Sequence, residues 1–337
     1  MTTTPGTSDT AGTVRRQEPI GSGFGARSTA EEVLRGIDVV GRTAIVTGGY
    51  SGIGLETTRA LADAGMRVVV PARRPEEARE AVAGLGDRGA GGTVEVAGMD
   101  LADLDDVTAF AEGFVDSGRR VDAVINGAGV MACPGGGGGR GWERQFAVNH
   151  LGHFVLVNRL RAAFSEDGTR VVSVSSAAHH RSPVRWDDPW FEDGYDKWEA
   201  YGQSKTANVL FAVHLDALAR DAGVRAFSLH PGAILTPLQR HLPHEEMVVA
   251  GWIDEEGRGI NPAFKTPEQG AATQVWAATS PHLADLGGLY CEDCDVAVPA
   301  DRAEPPAAGV ADHAVDPGQA ERLWAFSAEL TGVDAFR

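Results

Sequence analysis

At 337 residues the chain is long enough for one large α/β domain or two small ones, and its 43% apolar residues can bury a sizeable core. A formal net charge of −17 repels nucleic-acid phosphates and anionic lipid surfaces, and no basic run offsets it, so neither is an expected partner. Three cysteines, Cys133, Cys291 and Cys294, argue against a disulfide framework and suit a reducing cytoplasm, the expected location.

Residues 1–25 carry Thr, Ser, Gly and charges without an apolar h-region, and read as a disordered tail ahead of one domain spanning 26–337. The longest apolar runs, such as 68–70 and 171–174, fall far short of the roughly 20 residues a membrane helix needs, so no membrane contact is expected.

From residue 43, short β-branched runs alternate with longer amphipathic stretches. The pattern predicts strands near 43–47, 67–71, 93–97, 121–126, 169–175, 224–230 and 288–291. Helices are predicted near 52–64, 75–84, 103–117, 142–163, 199–221, 267–279 and 318–331. That alternation specifies an α/β fold: a single doubly wound Rossmann-type domain, with a seven-stranded, mostly parallel sheet and helices on both faces.

The first strand runs into Thr47-Gly48-Gly49-Tyr50-Ser51-Gly52-Ile53-Gly54, which opens a helix. Glycines there allow a tight turn and close backbone approach, and the helix N-terminus attracts a pyrophosphate. Gly48, Tyr50, Ser51, Gly52, Ile53 and Gly54 are therefore candidate nucleotide contacts. After the second strand, Pro71-Ala72-Arg73-Arg74 has base where an NAD-preferring site supplies Asp or Glu. An arginine suits a 2′-phosphate, and Arg73 is nearer the strand end, so the expected cofactor is NADP(H). Asp100, with Leu101 beside it, stands where a carboxylate could accept from the adenine amino group, or could cap the next helix.

Three loops, 132–141 with its five glycines, 177–198 and 236–266, sit at the expected carboxyl edge and are the candidate substrate loops. In the second, Trp186, Trp190 and Trp198 either wall a bulky substrate or pin the loop to the core. The fifth strand ends in Val174-Ser175-Ser176, where one hydroxyl could bond a substrate oxygen. The helix near 199–221 contains Tyr201-Gly202-Gln203-Ser204-Lys205. Positions i and i+4 share a face, so the Lys205 ammonium, with an oxidised nicotinamide, should draw the Tyr201 phenol down from its ordinary pKa near 10. Asn149 could hold a water chain to Lys205. His150, His153, His179 and His180 lack a carboxylate or cysteine to complete a metal set, and no metal is expected. The CxxC of Cys291 and Cys294 lacks two further zinc ligands or a following helix, and reads as structural. Leu323, Trp324, Phe326 and Leu330 read as the core face of the last helix.

These motifs, with Asn126-Gly127-Ala128-Gly129, the run Val148 to Phe154, and His230-Pro231-Gly232 followed by Thr236, resemble the short-chain dehydrogenase/reductase family. Within it the chain is similar to the retinol dehydrogenase and WW-domain oxidoreductase branch, over about residues 24–331. The resemblance implies a catalytic set of Asn149, Ser176 rather than Ser175, Tyr201 and Lys205. It further implies that Lys205 binds the nicotinamide ribose, that Asn126, Ala128 and Gly129 lie against the adenosine side, and that Pro231, Gly232 and Thr236 hold the carboxamide. It is compatible with a homodimer formed through the helices carrying Asn149 and Tyr201. Gly127 replaces a second Asn of the family pattern, so a hydrogen bond stabilising the central sheet is expected to be missing. The implied activity is hydride transfer between NADP(H) and a carbonyl or alcohol carbon of a small lipophilic or polycyclic substrate. A reductase of carbon–carbon double bonds and a non-catalytic NADP(H) sensor are the rivals.

Overall fold

The computed structural model describes residues 17–87, 90–136, 140–301 and 308–337. In chain order the helix α1 (Ala30–Leu34) precedes β1 (Thr43–Thr47), α2 (Gly52–Asp63), β2 (Arg67–Ala72), α3 (Pro75–Val82), β3 (Thr93–Gly98) and α4 (Leu104–Asp116). Then come β4 (Ala123–Asn126), α5 (Arg144–Phe146), α6 (Gly152–Leu160), β5 (Thr169–Val174), α7 (Lys197–Ala219) and β6 (Val224–His230). The rest is α8 (His244–Val249), α9 (Pro267–Thr279), β7 (Leu289–Glu292), β8 (Asp295–Val296), α10 (Asp312–Val315) and α11 (Pro317–Thr331).

The strands form one sheet in the order β3-β2-β1-β4-β5-β6-β7-β8, parallel except for β8. Eight strands thus replace the seven expected. The extra one is a two-residue antiparallel return from β7, too short for any periodic signal. Its turn puts both Asp293 (φ 51°) and Cys294 (φ 61°) in the left-handed region, which identifies the CxxC as a hairpin corner. Both thiols are buried, and burial pushes both up in pKa, which makes them inert.

Central strands are buried throughout because helices cover both faces. One face packs α1, α2 and α9 around Trp276; the other packs α4, α6, α7 and α11 around Phe154 and Trp324. The helix expected over 142–163 is broken into α5, a π-turn (Ala147–Leu151) and α6, with a 3-10 turn (Arg161–Ala163) at its end. The Gly152 N–H donates to Ala147 O, five residues back, and the widened turn carries Asn149.

One further expectation changes. Residues 17–25 are held rather than disordered: the Gln17 amide donates to Tyr290 O at 3.0 Å and accepts from Tyr290 N at 3.0 Å, and Ile20, Gly21 and Ser22 donate to the Asp295 carboxylate. The expected tail otherwise lies outside the described residues, as do 137–139 of the glycine loop. The chain's own α11 packs over part of α6 and α7, the helices through which a homodimer was expected. Trp324 packs against Phe154 at 4.9 Å and stacks on Phe211 at 5.8 Å, while Leu323 and Ala320 meet Leu210 and Ala207.

Candidate active site

The sheet order reverses between β1 and β4, and the crevice of such a switch point opens beyond the carboxyl ends of the strands. The register places Thr47 beside Asn126, Asn126 beside Ser173, and Ser173 beside Ser228, so the strand ends are level and the loops leave them together. A cavity of about 820 Å³ opens there, lined by the β1 turn, Ser175, Ser176, Tyr201, Lys205 and Pro231 to Ile234. An adjoining lobe of about 470 Å³ is lined by Arg73, Asp100, Leu101, Ala128, Gly129 and Val148.

The β1 turn is built for close approach. Gly48 has φ +70°, and a Cβ on it would meet the Ala128 backbone at 2.9 Å; a Cβ on Gly54 would lie 2.2 Å from Gly48 O. Ser51 caps α2 without using its hydroxyl, so the first-turn amides of α2 face the cavity side with no side-chain partner from Ser51. Tyr50, Gly52 and Ile53 line the same wall. The cradle and the two joined lobes fit a dinucleotide: phosphates at the amides of α2 and the adenosine end in the smaller lobe.

Arg73 and Arg74 separate by their contacts. Arg74 is paired with Glu77 at 2.7 Å, whereas Arg73 is exposed and lines both lobes. The Asp100 carboxylate accepts from Ala102 N at 3.0 Å, and the helix that follows is capped by Asp103 instead. Asn126 is not brought to the cavity: it is buried and donates toward Ser173 Oγ at 3.4 Å, while Ala128 and Gly129 do line it. Pro231, Gly232 and Thr236 all line the larger cavity, and the Thr236 hydroxyl accepts from Leu238 N to cap the following 3-10 turn (Pro237–His241).

Around the catalytic end the hydrogen bonds assign each group. The buried Ser175 hydroxyl donates to Lys205 O at 2.8 Å and so fastens α7 to β5, which leaves the half-buried Ser176 as the hydroxyl that lines the cavity with the Tyr201 phenol. The Lys205 ammonium donates to Val174 O at 2.9 Å and lies 5.5 Å from the Tyr201 ring centre. Asn149 accepts from Val130 N at 2.9 Å and donates to Val130 O at 3.0 Å and Ser204 Oγ at 2.9 Å, clamping the β4 loop onto α7.

Without a nucleotide, burial governs both members of the pair. Burial pushes the Tyr201 phenol up to about 12, with only the Ser176 hydrogen bond lowering it, and pushes Lys205 down to about 7. Desolvation is the main cause for each group, so the chain alone does not draw the phenol toward neutrality.

The gap left at Gly127 is filled by residues not singled out for it. Thr47 Oγ1 accepts from the N–H groups of Gly127 and Ala128, each at 3.0 Å, and lies 2.9 Å from His153 Nε2. His153 Nδ1 lies 3.0 Å from Asn149 O. All these contacts are satisfied when His153 donates from Nδ1 and accepts the Thr47 hydroxyl at Nε2, and burial keeps it neutral with a pKa near 4. The signal was available, since His153 follows Asn149 by one helical turn. His150 is taken by Ser327 Oγ at 2.7 Å and His179 by Ser176 O at 2.7 Å, and His180 lines the cavity. Among the described residues no group of three or more His, Cys, Asp or Glu is placed to hold a metal.

The tryptophans divide. Trp198 lines the cavity, 6.5 Å from the Tyr201 ring and 6.3 Å from Trp252, which in turn meets Phe264 at 6.0 Å. Trp186 and Trp190 instead pin loop 177–198 to Phe326 of α11 at 6.0 and 5.9 Å. Tyr195 joins two loops by donating to Cys133 O at 3.0 Å.

A nucleotide cradle, a proton-bearing phenol and an apolar wall at one sheet edge are the arrangement of an oxidoreductase. The chain belongs to the short-chain dehydrogenase family, whose model matches residues 42–247. It is 44% identical over 305 residues to a Streptomyces antibioticus protein named "Probable oxidoreductase", covering 89% of this chain and 99% of that one. It is 35% identical to retinol dehydrogenase 12 of Bos taurus, with 88% of each chain covered, and so resembles the retinol dehydrogenase branch. An uncharacterized protein from Mycobacterium paratuberculosis superposes with a TM-score of 0.69 at 31% identity, covering 92% of this chain and 99% of that one. Among the described residues no helix is long and apolar enough to cross a membrane.

Proposed function

We propose that this oxidoreductase uses NADP(H) and acts between a carbonyl and an alcohol carbon of a small lipophilic or polycyclic substrate in the cytoplasm. The observation that carries the reading is the convergence of Ser176, Tyr201 and Lys205, with Lys205 Nζ 5.5 Å from the Tyr201 ring centre, on one cavity walled by Trp198, Trp252 and Phe264. The cofactor, when bound, supplies or takes up the hydride.

Tyr201 gives a proton to the substrate oxygen in reduction and takes it back in oxidation, and Ser176 orients that oxygen. At a pKa of about 12 the phenol is fully protonated at neutral pH, the state a proton donor needs. In oxidation its acidity has to come from positive charge brought by Lys205 and the oxidised nicotinamide. Lys205, anchored to Val174 O, lies where it can hold the nicotinamide ribose, and Asn149 fixes the loop beneath it. Pro231, Gly232 and Thr236 are the residues to hold the carboxamide, and Arg73, which is not the partner of Glu77 as Arg74 is, is the residue to hold a 2′-phosphate. Reduction is the proposed physiological direction, because NADPH is the usual cellular reductant.

The test is a panel of bulky ketones and aldehydes followed at the NADPH absorbance, with wild type and Tyr201→Phe. Loss of about 10²–10⁴-fold in kcat is expected with cofactor affinity kept. Unchanged turnover would refute the role of Tyr201.

A further inference from the structure

Two guanidinium groups stand where the larger cavity joins the nucleotide lobe. Six residues line both spaces, Gly48, Tyr50, Ala128, Gly129, Arg73 and Arg240, and none is a carboxylate. Arg73 directly follows β2, whereas Arg240 belongs to a distant segment, the 3-10 turn that opens loop 236–266. Neither has an ion pair among the described residues; the one hydrogen bond of the Arg240 side chain goes to Pro237 O at 3.0 Å, within its own turn, and leaves most of its five donors unused. Arg144 lines the same lobe, and Arg140 there is partly neutralised by Asp105 at 3.7 Å. The carboxylates in these linings are Glu77, paired with Arg74, and Asp100, so guanidinium groups outnumber them in a chain whose net charge is −17, and such a surplus attracts an anion. The turn is also preorganised. Thr236 and Gln239 form a capping box, and Thr236 packs on Gly52 so closely that a Cβ there would lie 3.1 Å away.

We propose that Arg240 is a second phosphate-binding residue, closing on a phosphate group of the dinucleotide from a segment distant from Arg73. Seating the cofactor thereby seats the first turn of loop 236–266, the loop that carries Trp252 and Phe264 to the substrate end. The proposal rests on the dinucleotide reading above and adds a residue that selects no substrate but sets when the substrate wall is closed.

Calorimetric titration of wild type, Arg73→Ala and Arg240→Ala with NADPH and with NADH tests it without any substrate. Arg240→Ala should weaken NADPH by about tenfold or more at low salt. An equal loss for NADH assigns Arg240 to the pyrophosphate; a loss confined to NADPH assigns it to the 2′-phosphate. In parallel, NADPH should slow chymotrypsin cleavage within 242–264 in wild type and not in Arg240→Ala. Wild-type affinity for both cofactors in Arg240→Ala, with its melting temperature unchanged, would overturn the proposal while leaving the NADP(H) reading intact. A wild type that binds NADH as tightly as NADPH would overturn the NADP(H) preference alone, and one that binds neither would overturn both.

Discussion

The two walls of the cavity are made of different material. One is the row of strand ends: Gly48, Ser175, Ser176 and Pro231 hang on a parallel ladder, locked by buried hydrogen bonds such as Lys205 Nζ to Val174 O at 2.9 Å. The other wall, from loops 177–198 and 236–266, is held by ring contacts of 6.0–6.5 Å and by a half-exposed Lys197–Glu246 pair at 2.5 Å. Directional bonds position reacting atoms to fractions of an ångström, while apolar ring contacts are non-directional and accept varied shapes. On the proposed function, the bonded wall and the α7 residues fastened to it, Tyr201 and Lys205, would carry the chemistry, and the loops would carry selectivity.

Substitutions should separate the walls by the size and kind of their effects. Gly54→Ala strikes the rigid wall hardest, because the new methyl would lie 2.2 Å from Gly48 O and α2 must shift. Dinucleotide binding should fall more than 100-fold, with stability lower by about 1–3 kcal/mol in urea melts. Binding within twofold of wild type would mean the turn is soft after all.

Next in size is the buried ammonium. Lys205 has a folded pKa of about 7, below its unfolded value, so between pH 7 and 10 the unfolded chain holds a proton that the folded chain has released. Stability from this group therefore rises with pH across that window, by on the order of 4 kcal/mol. Lys205→Met should flatten the rise relative to wild type in urea melts at pH 7 and pH 9.5, and Asn208 would still satisfy Val174 O at 3.0 Å. Parallel pH profiles in the two proteins would contradict it.

The smallest effect belongs to the loop wall. Trp252→Ala should raise KM for bulky carbonyls about tenfold, roughly 1.4 kcal/mol of lost apolar contact, and leave kcat for a small aldehyde within threefold. A collapse of kcat for every substrate would show that the loop wall also positions the reacting atoms.

Much of this is legible in order along the chain. The strand–glycine–helix sequence from Thr43 to Asp63 carries its own signature, because turn, approach and helix start are all local. The Tyr201 and Lys205 pair is legible for the same reason, since four residues on a helix fix their neighbourhood. Less visible is what depends on partners far away in sequence. Ser175 and Ser176 look alike until Lys205 O claims the first hydroxyl. Trp186 and Trp190 differ from Trp198 through distant partners such as Phe326, more than a hundred residues later. The two-residue β8 has no pattern to read, and its strained corner at Asp293 and Cys294 breaks the turn residues' usual rules.

By itself, then, the sequence determined the fold class, the place of the nucleotide cradle and the helical pair at the centre of the chemistry, all of which follow from periodicity and short-range spacing. Only the tertiary structure decided which groups are desolvated, and so why Tyr201 stands near 12 and Lys205 near 7. It alone placed α11 over the helices expected to pair with a second copy, joined Thr47, His153 and Asn149 behind Gly127, and brought Arg240 and Arg73 to the lining of the same two spaces. Burial and long-range contact are properties of the packed chain, and no local pattern encodes them.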